Sequence, residues 1–286
     1  MERARPALET SKTKRASSVL RLEGRDALDL LHRLSTPFLM DLAPGACRAA
    51  PFCDFRGRLL HRAAVAATRD GALWLLREDA PGDELAAFVE RSVFREDVRI
   101  ADHGARWNTY TAPGGGTLAP GAIEEQDGVP KRARITPEWT LALAPAGASL
   151  PPADEGTRIR AGRPRHGHEI HPDFTPFEVG LAHEVHLAKG CYPGQEALMR
   201  LVTYHSVRRR LVRLGGEGVA PSAPRDVRAG GTAAGRLTSV ASDGARGWIG
   251  LAVLRHEALG ERIEIEGAGS VGEPAPFEIT QPLGLS

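Results

Sequence analysis

The periodic part of the chain opens at Ser18. Val19-Leu20-Arg21-Leu22 alternates apolar and polar positions, Glu23-Gly24 breaks the run, and Ala27, Leu28, Leu30, Leu31 and Leu34 then recur at helical spacing. A strand followed by a helix is expected, with Asp26 placed to cap the helix and Pro37 and Pro44-Gly45 ending it. Arg58 to Ala67 and Ala72 to Arg77 read as two strands separated by Asp70-Gly71. Glu84 to Arg91 reads as a helix with Leu85, Phe88 and Val89 on its apolar face, and Val98-Arg99-Ile100 starts another strand. This alternation argues α+β or α/β architecture. From Tyr110 to Pro164 Pro and Gly dominate, and a long loop region is expected with strands only at Thr140 to Leu143 and at Thr157 to Arg160. Gly114-Gly115-Gly116 lacks the following Lys-Ser/Thr of a phosphate loop and reads as surface loop. After residue 206 the runs Val207 to Leu214, Gly231 to Val240, Gly247 to Leu254 and Arg262 to Glu266 predict a small barrel or sandwich of short strands.

Composition narrows the function classes. The 286 residues carry 37 basic and 36 acidic side chains, a formal net charge of +1, which gives no strong sign of a nucleic-acid partner. Only four of the basic residues are lysine: Lys12, Lys14, Lys131 and Lys189. Three cysteines, an odd number, argue against a secreted disulfide framework. No run approaches a membrane span, and the basic, polar start has no apolar core for export, so a cytoplasmic protein with residues 1–17 as a disordered tail is expected.

Residues 158–210 hold most of the chemistry. His166, His168, His171, His183 and His186 fall within 21 positions, but Pro164 and Pro172 flank the first three, so solvated loop histidines are expected here and no metal. Cys191 lies in Lys189-Gly190-Cys191-Tyr192-Pro193-Gly194-Gln195-Glu196, with glycines on either side that permit positive φ and close approach of a ligand. Lys189, two residues away, and a helix opening at Gln195-Glu196 are both placed to lower the thiol pKa. A small buried cysteine beside a turn is the competing reading. Cys47 and Cys53 have no such neighbours and read as inert.

That octapeptide resembles the K-G-C-[FY]-x-G-Q-E signature of the YgfZ family, folate-binding relatives of the glycine-cleavage T-protein (aminomethyltransferase). Gly24-Arg25-Asp26-Ala27 with Leu30 to Thr36, Asp54-Phe55-Arg56-Gly57-Arg58, Pro176-Phe177-Glu178-Val179-Gly180-Leu181, Arg208 to Leu211, Gly235 to Ser239 and Ile249 to Ala252 are similar to further elements of that family. The resemblance implies an α+β, T-protein-like folate-binding fold: two interwoven subdomains over residues 18–206 around a central cavity, closed by a C-terminal β-barrel over 207–286. It implies tetrahydrofolate or a derivative, such as the 5-formyl or 5,10-methylene form, as ligand. Glu178 is then the candidate to accept the pterin N3–H and 2-amino fork. Arg225 is the candidate for the folate carboxylates. Gly190, Tyr192, Gly194, Gln195 and Glu196 are placed at the folate by the same resemblance, with Cys191 and Lys189 as the reactive pair.

One departure bears on activity. The T-protein's catalytic aspartate lies five residues past the glycine that Gly57 resembles, and that place is Arg62 here, preceded by His61. A cation there works against orienting an amine, so an active aminomethyltransferase is not expected. The expected function is a tetrahydrofolate-binding accessory factor in iron–sulfur protein assembly or repair, with client or assembly proteins as partners. The alternatives are a folate-dependent one-carbon transferase, acting on an amine or RNA, and an RNA-binding role through Arg208 to Arg210, Tyr204 and His205.

Overall fold

A computed structural model describes residues 17–114 and 116–285. Most of the expected N-terminal tail therefore lies outside the described residues, as does Gly115 of the glycine triplet. Strand β1 (Ser18–Glu23) leads into helix α1 (Ala27–Leu34), and strands β2 (Cys47–Cys53), β3 (Leu59–Ala67) and β4 (Leu73–Arg77) follow. Helix α2 (Asp83–Glu90) and strand β5 (Arg99–Asp102) complete a first antiparallel sheet in the order β2-β3-β4-β1-β5. Pro51 sits in β2, which is an edge strand, where a residue without an N–H is tolerated. Strand β3 reads as one apolar run because both its faces are covered. Ala63, Val65 and Ala67 pack toward the two helices, and Ala64 and Ala66 toward a second sheet.

That second sheet occupies the region expected to be mostly loop. It consists of β6 (Trp107–Ala112), β7 (Ala122–Gln126), β8 (Val129–Thr136) and β9 (Trp139–Pro145), in the order β6-β9-β8-β7. Its β7–β8 hairpin turns on Asp127-Gly128, both at positive φ, a two-residue turn whose twist suits antiparallel strands. The strands were masked in the sequence by Pro130, Pro145 and charged positions on a half-exposed sheet. A second correction concerns Thr157 to Arg160, which is helical rather than extended. It belongs to helix α3 (Glu155–Arg160), whose N-cap Asp154 accepts from Thr157 N at 2.8 Å and from Thr157 Oγ1 at 2.6 Å.

Helix α4 (Gln195–Thr203) precedes a third sheet. Its strands are β10 (Arg209–Gly216), β11 (Arg225–Ala229), β12 (Thr232–Ser242), β13 (Trp248–Arg255), β14 (Ile263–Ile265) and β15 (Ala275–Pro276), in the order β14-β11-β12-β13-β10-β15. The outer face of β10 and β13 (Leu211, Ile249, Leu251, Val253) packs on Ile159, Ile170, Phe174, Val179 and Leu181. The last segment turns back: Leu283 N donates to Val185 O at 2.8 Å and Leu187 N to Leu283 O at 2.9 Å. Among the described residues no helix is long and apolar enough to cross a membrane.

A polar latch crosses the same junction. Glu169 is fully buried; its Oε2 accepts from Arg165 N at 3.0 Å and from the Arg158 guanidinium at 3.2 Å. Its Oε1 accepts from Ser239 Oγ at 2.7 Å and from Thr238 Oγ1. Glu169→Ala removes one of the two carboxylates that Arg158 pairs with, Glu155 being the other, and takes the acceptor away from Arg165 N and Ser239 Oγ, so a loss of about 1–3 kcal/mol is expected. Urea unfolding measures it; a loss under about 1 kcal/mol contradicts the assigned role.

Candidate functional site

Helix α4 starts where Gly194 lets the chain turn. Gly194 has φ +83, and a Cβ there would stand 2.5 Å from Asp54 O and 2.7 Å from Gly57 Cα. The glycine thus seats the Cys191 loop against the Asp54–Gly57 turn. Tyr192 is buried with Val185, Leu187 and Leu198, and Gln195 Nε2 donates to Leu187 O at 2.7 Å. Lys189 is also buried. Its ammonium donates to His32 O at the end of α1 and lies 4.9 Å from the centre of the Tyr192 ring. Gly190, at φ +103, reverses the chain between the buried lysine and the exposed Cys191. Glu196 is exposed and pairs with Arg200 at 2.6 Å. Lysine, tyrosine and glutamine therefore act inward to fix the loop, and the cysteine faces outward.

This alters the expected part of Lys189. The ammonium points to a helix carbonyl rather than to the thiol, and among the described residues Cys191 Sγ takes no hydrogen bond from it. Burial lowers the Lys189 pKa to about 7, so near neutrality the side chain is only partly charged. Burial pushes the Cys47 thiol up to about 12 and raises that of Cys53 as well, in keeping with their inert reading.

A cavity lies elsewhere. It holds about 810 Å³ between the end of β4, the end of β6 and α3. Its walls include Glu78, Asp79, Arg158, Arg160, Arg163 and Arg165, with Pro113, Pro151 and Pro152 among the apolar surfaces. Neither Glu178 nor any residue from Lys189 to Glu196 lines it, and Arg225 does not either. Arg225 sits on β11 against Ser222 Oγ at 2.6 Å and Glu266 at 3.3 Å.

The Glu178 carboxylate, expected to face a pterin, is already engaged. Thr175 N donates to Oε2 at 2.8 Å, Thr175 Oγ1 to the same atom at 3.1 Å, and Arg209 Nε to Oε1 at 2.7 Å. The cavity carboxylates Glu78 and Asp79 were not singled out from sequence. The available signal was an adjacent acid pair at the C-terminal end of a strand, before Pro81-Gly82. Glu78 Oε1 accepts from Trp139 Nε1 and Thr111 Oγ1, each at 3.2 Å, and from Arg163. Asp79 Oδ2 accepts from His166 N at 2.8 Å, while Oδ1 is covered and has no hydrogen-bond partner. Burial, then the neighbouring Glu78 charge, raise the Asp79 pKa to about 6.

Arg62 points from β3 toward the second sheet, where its guanidinium binds Glu184 at 2.8 and 2.5 Å and lies 4.1 Å from the centre of the Trp139 ring. Both charged groups are buried. The place that the resemblance assigns to a catalytic carboxylate is thus filled by a closed ion pair.

The histidines are dispersed. His168 Nδ1 meets Thr238 O at 2.8 Å, His171 Nδ1 lies 3.2 Å from Asp173, and His183 Nδ1 meets Thr280 Oγ1 at 3.2 Å. Among the described residues, His166 alone of these joins a group with metal-ligand spacing, with His61 and Glu84. Arg77 opposes a cation there, because its Nη1 lies 3.4 Å from Nδ1 of both imidazoles. As a donor it leaves the ring protons on Nε2, which then offer no lone pair to a metal. Burial, then the Arg77 charge, lower the His61 pKa to about 3 and that of His166 to about 4.

Comparison with known proteins agrees with this architecture. Residues 208–280 match the model of the CAF17 C-terminal beta-barrel domain. A chloroplastic protein of Arabidopsis thaliana named as a transferase is 37% identical over 106 residues, 36% of this chain and 24% of the relative. The aminomethyltransferase of Moorella thermoacetica is 43% identical over 72 residues, 25% of this chain and 19% of the relative. That of Caldanaerobacter subterraneus is 33% identical over 129 residues, 43% and 33% respectively. The aligned stretches thus span a third or less of these relatives. The structure of aminomethyltransferase T of the glycine cleavage system from Bartonella henselae superposes with a TM-score of 0.75 at 16% identity, covering 92% of this chain and 84% of that one. The chain has the mixed α/β aminomethyltransferase fold with a C-terminal β-barrel.

The Lys189 environment makes a pH prediction. The unfolded lysine keeps its proton up to about 10.5, the folded one only up to about 7, so between these values the unfolded state binds more protons. Stability contributed by this group therefore rises with pH across that window, by at most about 1.4 kcal/mol per unit. Lys189→Met should flatten the rise in urea-derived stability between pH 7.5 and 9.5; an unchanged slope contradicts the assignment.

Proposed function

We propose that this protein binds a reduced folate in the cavity beside Asp79 and acts through Cys191 as an accessory factor for iron–sulfur proteins, without transferring an aminomethyl group. The observation that carries this reading is the buried Arg62–Glu184 pair. Aminomethyl transfer calls for a carboxylate free to orient an amine or to stabilise developing positive charge. Here a guanidinium stands in that place, and the nearest acid is held through both oxygens. The cavity supports the binding half of this reading: about 810 Å³ falls within the range of cofactor pockets. Apolar proline surfaces suit a flat ring, Asp79 is a carboxylate of the wall, and Arg160 and Arg165 are wall cations that suit the acid tail of tetrahydrofolate or of its 5-formyl or 5,10-methylene form.

Cys191 supplies the second half of the reading. The motif around it buries a lysine and a tyrosine to hold one thiol in solvent. A cluster takes about four thiolates, so a single cysteine serves a cluster or sulfur only together with ligands from a client or assembly protein. The match to the CAF17 barrel and the resemblance of the octapeptide support that class of partner. Arg209 and Arg210 are engaged with Glu178 and Phe277 O, which disfavours an RNA role for that run.

Calorimetry with 5-formyltetrahydrofolate tests the first half: saturable binding is expected, and its absence overturns it. In cells, Cys191→Ser should lower iron–sulfur enzyme activities severalfold while folate affinity of the purified variant stays the same. Full enzyme activity with Cys191→Ser overturns the accessory role.

A further inference from the structure

The loop that carries Cys191 is seated at both ends. At one end it meets the returning tail, where a Cβ on Gly284 would stand 3.0 Å from Ala188 N. At the other end Gly194 lies against the Asp54–Gly57 turn. Cys191 is three residues from each seat, so its backbone stands at most about 11 Å from either.

Both seats hold apolar side chains in solvent. On the tail Leu283 is 51% and Leu285 47% exposed, and on the turn Phe55 is 87% exposed. The turn is fixed: Asp54 Oδ1 accepts from Arg56 N and from Arg58 N, each at 2.8 Å, and Gly57 N donates to Asp54 O at 3.0 Å. Its backbone therefore keeps Phe55 at the tip rather than folding it inward. Three of the eight large apolar side chains exposed among the described residues thus flank a single short loop, and clustering of this kind marks an interaction surface more than scattered exposure does. The next residue adds a charge. Arg56 is exposed and has no ion-pair partner among the described residues, whereas Glu196 and Arg200, at the start of α4, satisfy each other.

We propose that Phe55, Arg56, Leu283 and Leu285 form a docking surface around Cys191 for a protein segment that carries a cysteine, apolar residues beside it and an acidic residue. The inference rests on the accessory reading for the partner's cysteine. Apolar side chains of the segment cover the ring and the leucines, its carboxylate meets the free guanidinium, and its sulfur arrives beside Sγ of Cys191. Docking of this kind supplies what one thiol lacks, a second sulfur held at close range.

Thiol–disulfide exchange reads the surface, because Cys47 and Cys53 are buried and Cys191 is exposed. The probes are synthetic pentapeptides with one cysteine activated as its 2-pyridyl disulfide and flanked by leucine and glutamate, by leucine and lysine, or by serine and glutamine. The Cys191 thiolate attacks the peptide sulfur, the new S–S bond forms as the old one breaks, and pyridine-2-thiolate leaves with the electron pair. Its absorbance gives the rate. The leucine–glutamate peptide should react about 10-fold faster than the serine–glutamine peptide. It should also outpace the leucine–lysine peptide at low salt, by a margin that shrinks as salt rises. Phe55→Ser should remove most of the first preference and Arg56→Ser the second. Rates with the small reagent 2,2′-dipyridyl disulfide should stay within about twofold in both variants.

Equal rates for the three peptides, or preferences that survive both substitutions, overturn the docking surface and leave the accessory reading standing. The expected preferences together with fully active iron–sulfur enzymes in Cys191→Ser cells keep the surface and overturn that reading. A dimer in sedimentation that Phe55→Ser splits into monomers gives the face to a second copy of this chain and overturns the separate partner. The peptide comparison needs only the native chain, so a variant that fails to fold does not block the test.

Discussion

The buried carboxylate of Glu169 is the constraint that ties the third sheet to α3 and the segment after it. It accepts hydrogen bonds from α3, from the backbone that follows it, and from two hydroxyls of the third sheet. Those three places have little else in common, being irregular chain on one side and a regular strand on the other. A carboxyl group at zero exposure is tolerated only when its acceptor sites are filled, so the geometry that fills them is selected. The apolar contacts of Ile159, Phe174 and Leu251 around it supply attraction without direction; the carboxylate supplies the register.

Arginine plays this connecting part throughout. Arg62, Arg77 and Arg158 are each buried, and each reaches partners on a different element through a rigid fork of donors. All but four of the 37 basic residues are arginine, and the fold exploits its shape. The buried Lys189 instead donates to a helix carbonyl and lies against the Tyr192 ring, contacts that a compact ammonium on a flexible stem makes without a planar fork.

Much of the architecture is legible in the residues. The β1–α1 unit, the strands β3 and β4 and the helix α2 follow from period and punctuation, because each has a well-covered apolar face. The second sheet is not legible in the same way. Its strands are half exposed and carry Arg, Glu and Lys among the apolar positions, so no alternation stands out, although Asp127-Gly128 marks its hairpin. Exposure of Cys191 could be anticipated from its flanking glycines. The inward turn of Lys189 could not, since its acceptor lies 157 positions earlier on α1. The cavity is the least legible feature: Glu78 and Asp79 look like a surface turn until residues 151–165 fold over them. Contacts between distant segments leave no local pattern to read.

The return of Leu283 to the strand-like stretch Val185–Leu187 has a consequence for biogenesis. The base of the thiol-bearing loop acquires its backbone partner from residues that lie beyond the whole third sheet. During synthesis the loop is made early and waits, with its N–H and C=O groups in water, until the barrel has been completed and the chain has doubled back. Domains that form as units in order of emergence would leave this closure to the end. Presentation of the thiol is therefore coupled to completion of the remainder of the molecule, and a chain stalled or clipped before that return would carry the cysteine in a slack loop.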